Sequence, residues 1–212
     1  PLIGLQESFR QVKDLERLIG RLAGANGNAR DLIGLKLSLH ALPVLRETTA
    51  SLKSSLACEQ HARIQPIPEL TDLIHRAIIE DPPLALKEGG LIKPGFDSTL
   101  DELQQAMRSG KDWVAQLQQQ EIERTGIKSL KVRFNSVFGY YIEVTKSNLA
   151  QVPAHYIRKQ TVATGERFIT PELKEMENKI LGAEERSIKL EYELFQRVRE
   201  EATRHSAVIQ ES

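Results

Sequence analysis

Between residues 127 and 170 the chain places seven cations, Lys128, Lys131, Arg133, Lys146, Arg158, Lys159 and Arg167, against two acids, Glu143 and Glu166. This stretch is +5, whereas the 212-residue chain as a whole is formally neutral. It also holds Phe134, Phe138, Tyr140, Tyr141, Tyr156 and Phe168, six of the eleven aromatics. A local basic field draws polyanions whatever the total charge, because salt screens charge beyond about 10 Å. The chemistry such residues perform is neutralisation of phosphates with release of counterions, which supplies affinity without sequence information. The plain alternative is a solvated strand face. Stacking of bases on the aromatics is the weaker functional reading, since Phe134, Tyr140 and Phe168 fall in register with Leu, Val or Ile and read as sheet core.

No set of residues suited to catalysis accompanies this basic stretch. A G-x-x-x-x-G-K-[ST] phosphate loop is absent from the sequence. His40, His61, His75, His155 and His205 are scattered, without the paired spacing of a metal site. Glu16 with Arg17, and Arg30 with Asp31, sit at adjacent helical positions and read as ion pairs between packed helices. Cys58 stands alone, which excludes an internal disulfide, suits a reducing compartment and reads as a small apolar residue. No apolar run approaches the ~18 residues of a membrane span, and the PLIGLQESFR start lacks the pattern of a signal peptide. The expectation is a soluble, cytoplasmic, non-enzymatic protein with no cofactor and no membrane partner.

Periodicity predicts the elements that must position the basic stretch. Leu5, Phe9, Val12, Leu15, Leu18, Ile19 and Leu22 keep helical spacing until Gly24, Gly27 and Asn28 end the helix. A second helix through Leu32, Ile33, Leu35, Leu37 and Leu39 is expected to stop at Pro43. A third follows Pro66-Ile67-Pro68, with Leu70, Leu73, Ile74 and Ile78 as its apolar face, and 81–96, with its Pro and Gly, is a loop with room for a small hairpin. From Asp97 to Thr125 runs a long helix through Leu100, Leu103, Met107, Val114, Leu117 and Ile122, capped by Asp97 or Ser98 and closed by Gly126. Its counterpart starts at Thr170-Pro171-Glu172, where threonine caps, proline suits the first position and an acid meets the helix dipole, and it continues to about residue 203.

Between these helices the period changes to two. Leu130, Val132 and Phe134 face one way, and Lys131 and Arg133 the other. Strands are predicted at 130–134, 140–145, 158–163 and 166–170, the last two joined at Thr164-Gly165. The fold class is therefore mainly α with a small β insertion: a helical core, and two long antiparallel helices carrying a small antiparallel sheet at their tip.

The run ERTGIKSLKVRFNSVFGYYIEVTKSNLAQVPAHYIRKQTVATGERFITPELKEMENKIL (121–180) resembles the clamp and flanking lever helices of the bacterial MutS family of DNA mismatch-repair proteins. KDLERL (13–18), ARDLIGLKLSL (29–39) and DPPLALKEGGLIKPGFDSTLDEL (81–103) resemble the core of the same family, so the resemblance covers nearly the whole chain. It implies a division into a helical core with the first lever helix (1–126), a β clamp (127–170) and a returning lever helix (171–212). It further implies a fragment of a dimeric ATPase whose ATP and Mg sites lie in a domain outside these residues. No Phe-x-Glu motif of the kind that reads mispairs in this family is present either. The implied partners are double-stranded DNA, held non-specifically by its backbone, and a second protomer. The residues assigned to backbone contact are Lys146, Ser147, Asn148, Arg158, Lys159, Thr161 and Thr164. One departure stands out: Ala163 and Thr164 occupy the hairpin positions where many family members carry a phosphate-contacting Lys-Asn couple. The rival reading is a helical structural or protein-interaction module with no DNA binding of its own.

Overall fold

The computed structural model describes residues 9–10, 12–24 and 26–211. It is mainly helical with one small antiparallel sheet, and it separates into two compact units. Residues 99–187 form one, and the residues up to 98 together with those from 188 onward form the other.

In the unit built from the two chain ends, α1 (Leu15–Ala23) begins where the Asp14 carboxylate accepts the Arg17 N–H. The helix predicted from Leu5 therefore starts at Leu15 and is not continuous with Phe9; Leu5 itself lies outside the described residues. Helix α2 (Ala29–Ala50) opens with a reciprocal capping box, Asn28 accepting from Asp31 N–H and Asp31 from Asn28 N–H. The expected stop at Pro43 is overturned, since α2 runs through it. Pro43 lies on the exposed side, where water can meet the carbonyl it leaves unpaired, while Leu42 and Leu45 stay buried and hold the helix to its neighbours. Helix α3 (Ser55–Arg63), capped by Ser54, has no buried residue and left no periodic signal. Helix α4 (Pro68–Ala77) buries Leu70 and Ile74 and packs on α2, as α1 does.

The 81–96 loop makes one turn of 3-10 helix (Leu86–Glu88), then returns to pair Ile92 with Ile78 in a single antiparallel bridge. The core of this unit is Leu18, Ile19, Leu22, Leu32, Leu35, Leu39, Leu70, Ile74, Ile78 and Leu91, all nearly inaccessible. Each such side chain contributes about 1.5–3 kcal/mol relative to an exposed one. The predicted helix-to-helix ion pairing is met by Arg21–Asp31 at 3.1 Å, while Arg30 reaches Asp81 (3.5 Å) and Arg17 turns instead to Asp14. Cys58 is exposed, because α3 turns no face inward.

The second unit contains nearly all of α5 (Ser98–Thr125), the sheet, and the first half of α6 (Pro171–Arg204); a short α7 (Ser206–Glu211) belongs to the other unit. Gly126, at φ +72°, closes α5 by donating to the Ile122 carbonyl. The Thr170 hydroxyl accepts the Leu173 N–H and starts α6. Strands β1 (Lys131–Asn135), β2 (Gly139–Thr145), β3 (Ile157–Val162) and β4 (Gly165–Ile169) lie in the order β1-β2-β4-β3, every pair antiparallel. Opposite residues in such pairs share a face. The register Val132–Ile142–Phe168 thus puts one face against Val114 of α5 and Leu173 and Ile180 of α6. Lys131–Glu143–Arg167 and Arg133–Tyr141 belong to the other face. Phe168 joins the core as expected, and Tyr140 packs at its margin. Phe134 does not, being 50% exposed at the end of β1, its ring 5.0 Å from that of Tyr140.

Candidate nucleic-acid interface

The end of β2 builds a polar corner. Thr145 pairs with Gly165, and the Lys146 N–H donates to the Thr164 carbonyl at 3.3 Å. This joins the two-residue turn Ala163-Thr164 to a 3-10 turn over Lys146–Gln151. The Asn148 amide donates to Ser129 Oγ (2.9 Å) and Thr145 Oγ1 (3.0 Å), and Ser147 Oγ lies 3.3 Å from Thr145 Oγ1. Lys146, Ser147 and Thr164 are exposed side by side on this corner, whereas the Asn148 amide is already spent in holding it together. Of the other residues predicted to act with them, Thr161 is exposed on the adjoining strand. Arg158 stands three residues further along β3, about 10 Å at strand rise. A register shift between Arg158 and Gln160 turns Lys159 out of the regular ladder. The seven residues thus form a corner and a separate β3 pair, not one cluster.

The charges sort themselves by pairing. Arg158 meets Glu166 at 3.4 Å and Arg167 meets Glu143 at 3.5 Å, so both acids of the basic stretch are occupied. Arg167 also lies 4.5 Å over the Tyr141 ring and donates to Gln160 Oε1 at 2.8 Å. Lys128, Lys131, Arg133, Lys146 and Lys159 remain exposed, with no side-chain ion pair among the described residues. Lys131 and Arg133 were absent from the residues assigned by sequence. The alternation in Leu130–Phe134 carried the signal, because it already set them on the face opposite the apolar residues.

Two buried carboxylates position this surface. Glu121 of α5 accepts from the Tyr156 hydroxyl and from Arg124, both at 2.5 Å, and Arg124 contacts His155 at 3.0 Å. Burial, reinforced by the bond to Glu121, pushes the Tyr156 phenol well above its ordinary value, so it stays a donor at any physiological pH. Glu177 of α6 accepts from the Tyr140 N–H at 2.6 Å and from Lys174 at 2.5 Å, which ties the start of β2 to the helix. At the head of α6, the backbone N–H groups and Thr170 lower the Glu172 carboxyl. Among the described residues no group of His, Cys, Asp and Glu could hold a metal ion, and no helix is long and apolar enough to cross a membrane.

The model of the MutS family domain IV matches residues 95–186, nearly the span of the compact unit 99–187. The chain is 55% identical over 202 residues to the DNA mismatch repair protein MutS of Geobacillus kaustophilus, covering 95% of this chain and 22% of that protein. Against the DNA mismatch repair protein MutS of Bacillus subtilis it is 52% identical over 208 residues, 98% of this chain and 24% of the relative. With that of Halothermothrix orenii it shares 50% over 196 residues, 92% and 22%. The chain thus spans less than a quarter of the length of these relatives.

Proposed function

For a chain that belongs to the MutS family, we propose the role of a non-catalytic segment of a DNA mismatch-repair protein that holds the backbone of duplex DNA. The observation that carries this reading is the set of five exposed cations, without an ion pair among the described residues, on the small sheet, beside a corner where Lys146 stands next to the hydroxyls of Ser147 and Thr164. Lys146 supplies charge to a phosphate, and Ser147, Thr161 and Thr164 supply hydrogen bonds. Asn148 fixes the corner, and Arg158 and Lys159 extend the positive field along β3. Arg158 and Asn148, the two types among these whose planar groups make a two-pronged bond to a base edge, are engaged with Glu166 and with Ser129 and Thr145, so the reading is one of backbone contact without sequence preference.

In this account 127–170 is the clamp, and α5 with α6 are the levers that carry it. A small rotation at one end of a long helix becomes a large displacement at the other, and α5 alone spans about 42 Å at 1.5 Å per residue. The levers would pass the nucleotide state of an ATPase domain to the clamp, and a second protomer would close the ring around DNA. No residue here is assigned to ATP or Mg, since the sequence has no phosphate loop. A cytoplasmic setting goes with a role on DNA in bacterial relatives.

The test is titration of a labelled duplex of ~30 base pairs, with and without a mispair, against the chain and its Lys146→Ala/Arg158→Ala variant. Each lost phosphate contact lowers affinity several-fold, so the double variant is expected to bind about tenfold more weakly. The mispair should make no difference. Equal binding by the variant would remove both the corner and Arg158 from the interface.

A further inference from the structure

At the end of the sheet away from the Lys146–Thr164 corner, on the face opposite the helices, lies a hollow of about 210 Å³. We propose that it is a docking site for a protein segment carrying a carboxylate beside a large apolar side chain. Tyr141 and Ile169, both almost fully buried, form its floor. Lys159, Arg167 and Lys174 bring three cations to its rim, with Gln160 among them. Val137 and Phe138, at the β1–β2 turn, form a lip and are 78% and 46% exposed. Phe134 and Ile157, the latter paired with Ile169 on this face, add to the exposed apolar surface around the same end of the sheet.

The two halves of this lining select the occupant. Lys159 has no ion-pair partner among the described residues, whereas Arg167 is met by Glu143 at 3.5 Å and donates to Gln160 at 2.8 Å, its buried Nε making no hydrogen bond. Lys174 is neutralised by Glu177. The hollow therefore retains a net positive rim that a carboxylate complements. A nucleic-acid backbone meets that charge but brings no side chain to cover Val137 and Phe138. An acidic residue next to Leu or Phe satisfies charge and apolar surface together, the combination of desolvated anchor and charged rim that marks protein interfaces. The shift in register at Lys159 also blunts the β3 edge against strand addition, so side chains, not backbone pairing, would make the contact. The proposal does not rest on the DNA reading.

Amide chemical shifts of the 212-residue chain, followed during titration, locate the contact directly. The probes are a twelve-residue peptide alternating Glu-Leu and Asp-Phe pairs, the same peptide with Lys in place of each acid, and a 20-base-pair duplex. The acidic peptide is expected to give saturable shifts confined to residues 137–141, 159–160 and 167–169. Phe138→Ser, at an exposed position that leaves the core intact, should weaken that binding about tenfold, one anchor's worth, and leave duplex binding unchanged. The duplex should instead move 146–148, 158, 161 and 163–164, sharing only Lys159 with the peptide, and Lys146→Ala should weaken only the duplex. The proposal is overturned if the acidic peptide gives no saturable shift up to about 1 mM, a weak-binding ceiling. It is equally overturned if the lysine peptide binds as well, or if the duplex alone moves the hollow.

Discussion

Glu177 shows how one side chain can fix the geometry of a surface it does not belong to. Its buried carboxylate holds the Tyr140 N–H and the Lys174 ammonium, and it occupies the space in which a side chain at position 139 would stand. Gly139 also sits at φ +75°, where other residues are strained. Gly139→Ala is therefore expected to destabilise the chain by about 2–3 kcal/mol, the backbone strain and the displaced carboxylate acting together. Urea unfolding measures it, and a loss near zero would show that Glu177 is not held there. A second residue-scale pair lies in the other unit. Lys36, with its side chain 9% exposed, donates to Glu80 at 2.7 Å, and Lys93 donates to the same carboxylate at 2.8 Å. The Lys36 and then the Lys93 hydrogen bond hold the Glu80 carboxyl down from 4.5 to about 2. A carboxyl lowered by folding contributes stability above its unfolded value, and that contribution disappears as pH falls from about 4.5 toward 2. Glu80→Gln should cost about 1 kcal/mol at pH 7, small because Glu80 is well solvated. Thermal melts should show the difference between variant and parent shrinking across that acid window. A constant difference down to pH 2 would contradict the assignment.

At the scale of elements, the crossing of α5 and α6 is set by a missing side chain. A Cβ at Gly110 would run into Ile180 Cγ1, with Met176 Sδ also in contact range. Gly110→Ala gains about 1 kcal/mol of helix propensity but overpacks the crossing, which costs about 1–3 kcal/mol, so net destabilisation is expected. In an Ile180→Ala background the same substitution should be neutral or stabilising, a coupling that a double-mutant cycle reads directly; purely additive effects would place the crossing elsewhere. In the sequence Gly110 is only the single glycine between Asp97 and Thr125, with nothing to mark a crossing. What the sequence showed well was whatever depends on local period: the α5 and α6 spans, the four strands, the Thr170 cap and the Gly126 stop. It missed where tertiary burial overrode a local rule. Pro43 failed to stop α2 because Leu42 and Leu45 are buried on either side of it, and Phe134 lies outside the core although its alternation is correct. The corner at Lys146 was legible as residue types. Its closure through Lys146 and Thr164, and the displacement of Lys159, depend on register, which no single strand's pattern contains.

For the whole molecule the governing fact is that a neutral chain concentrates positive charge on the 127–170 stretch that forms the sheet. Pairing inside the fold uses up both acids of that stretch, so the field it presents to a partner is +5 rather than the zero of the chain. Four or five phosphate contacts of this kind give a log–log slope of affinity on salt of about −4. The isolated chain is expected to bind in the non-specific range, about 10⁻⁴ to 10⁻⁶ M. The most direct measurement is fluorescence anisotropy of a ~30-base-pair duplex with the chain at about 50 and 200 mM salt. The account predicts weak binding that falls a few hundredfold between the two and ignores a mispair. Binding that hardly changes with salt, or none even at the lower salt, would contradict it and leave the sheet as a protein-docking surface.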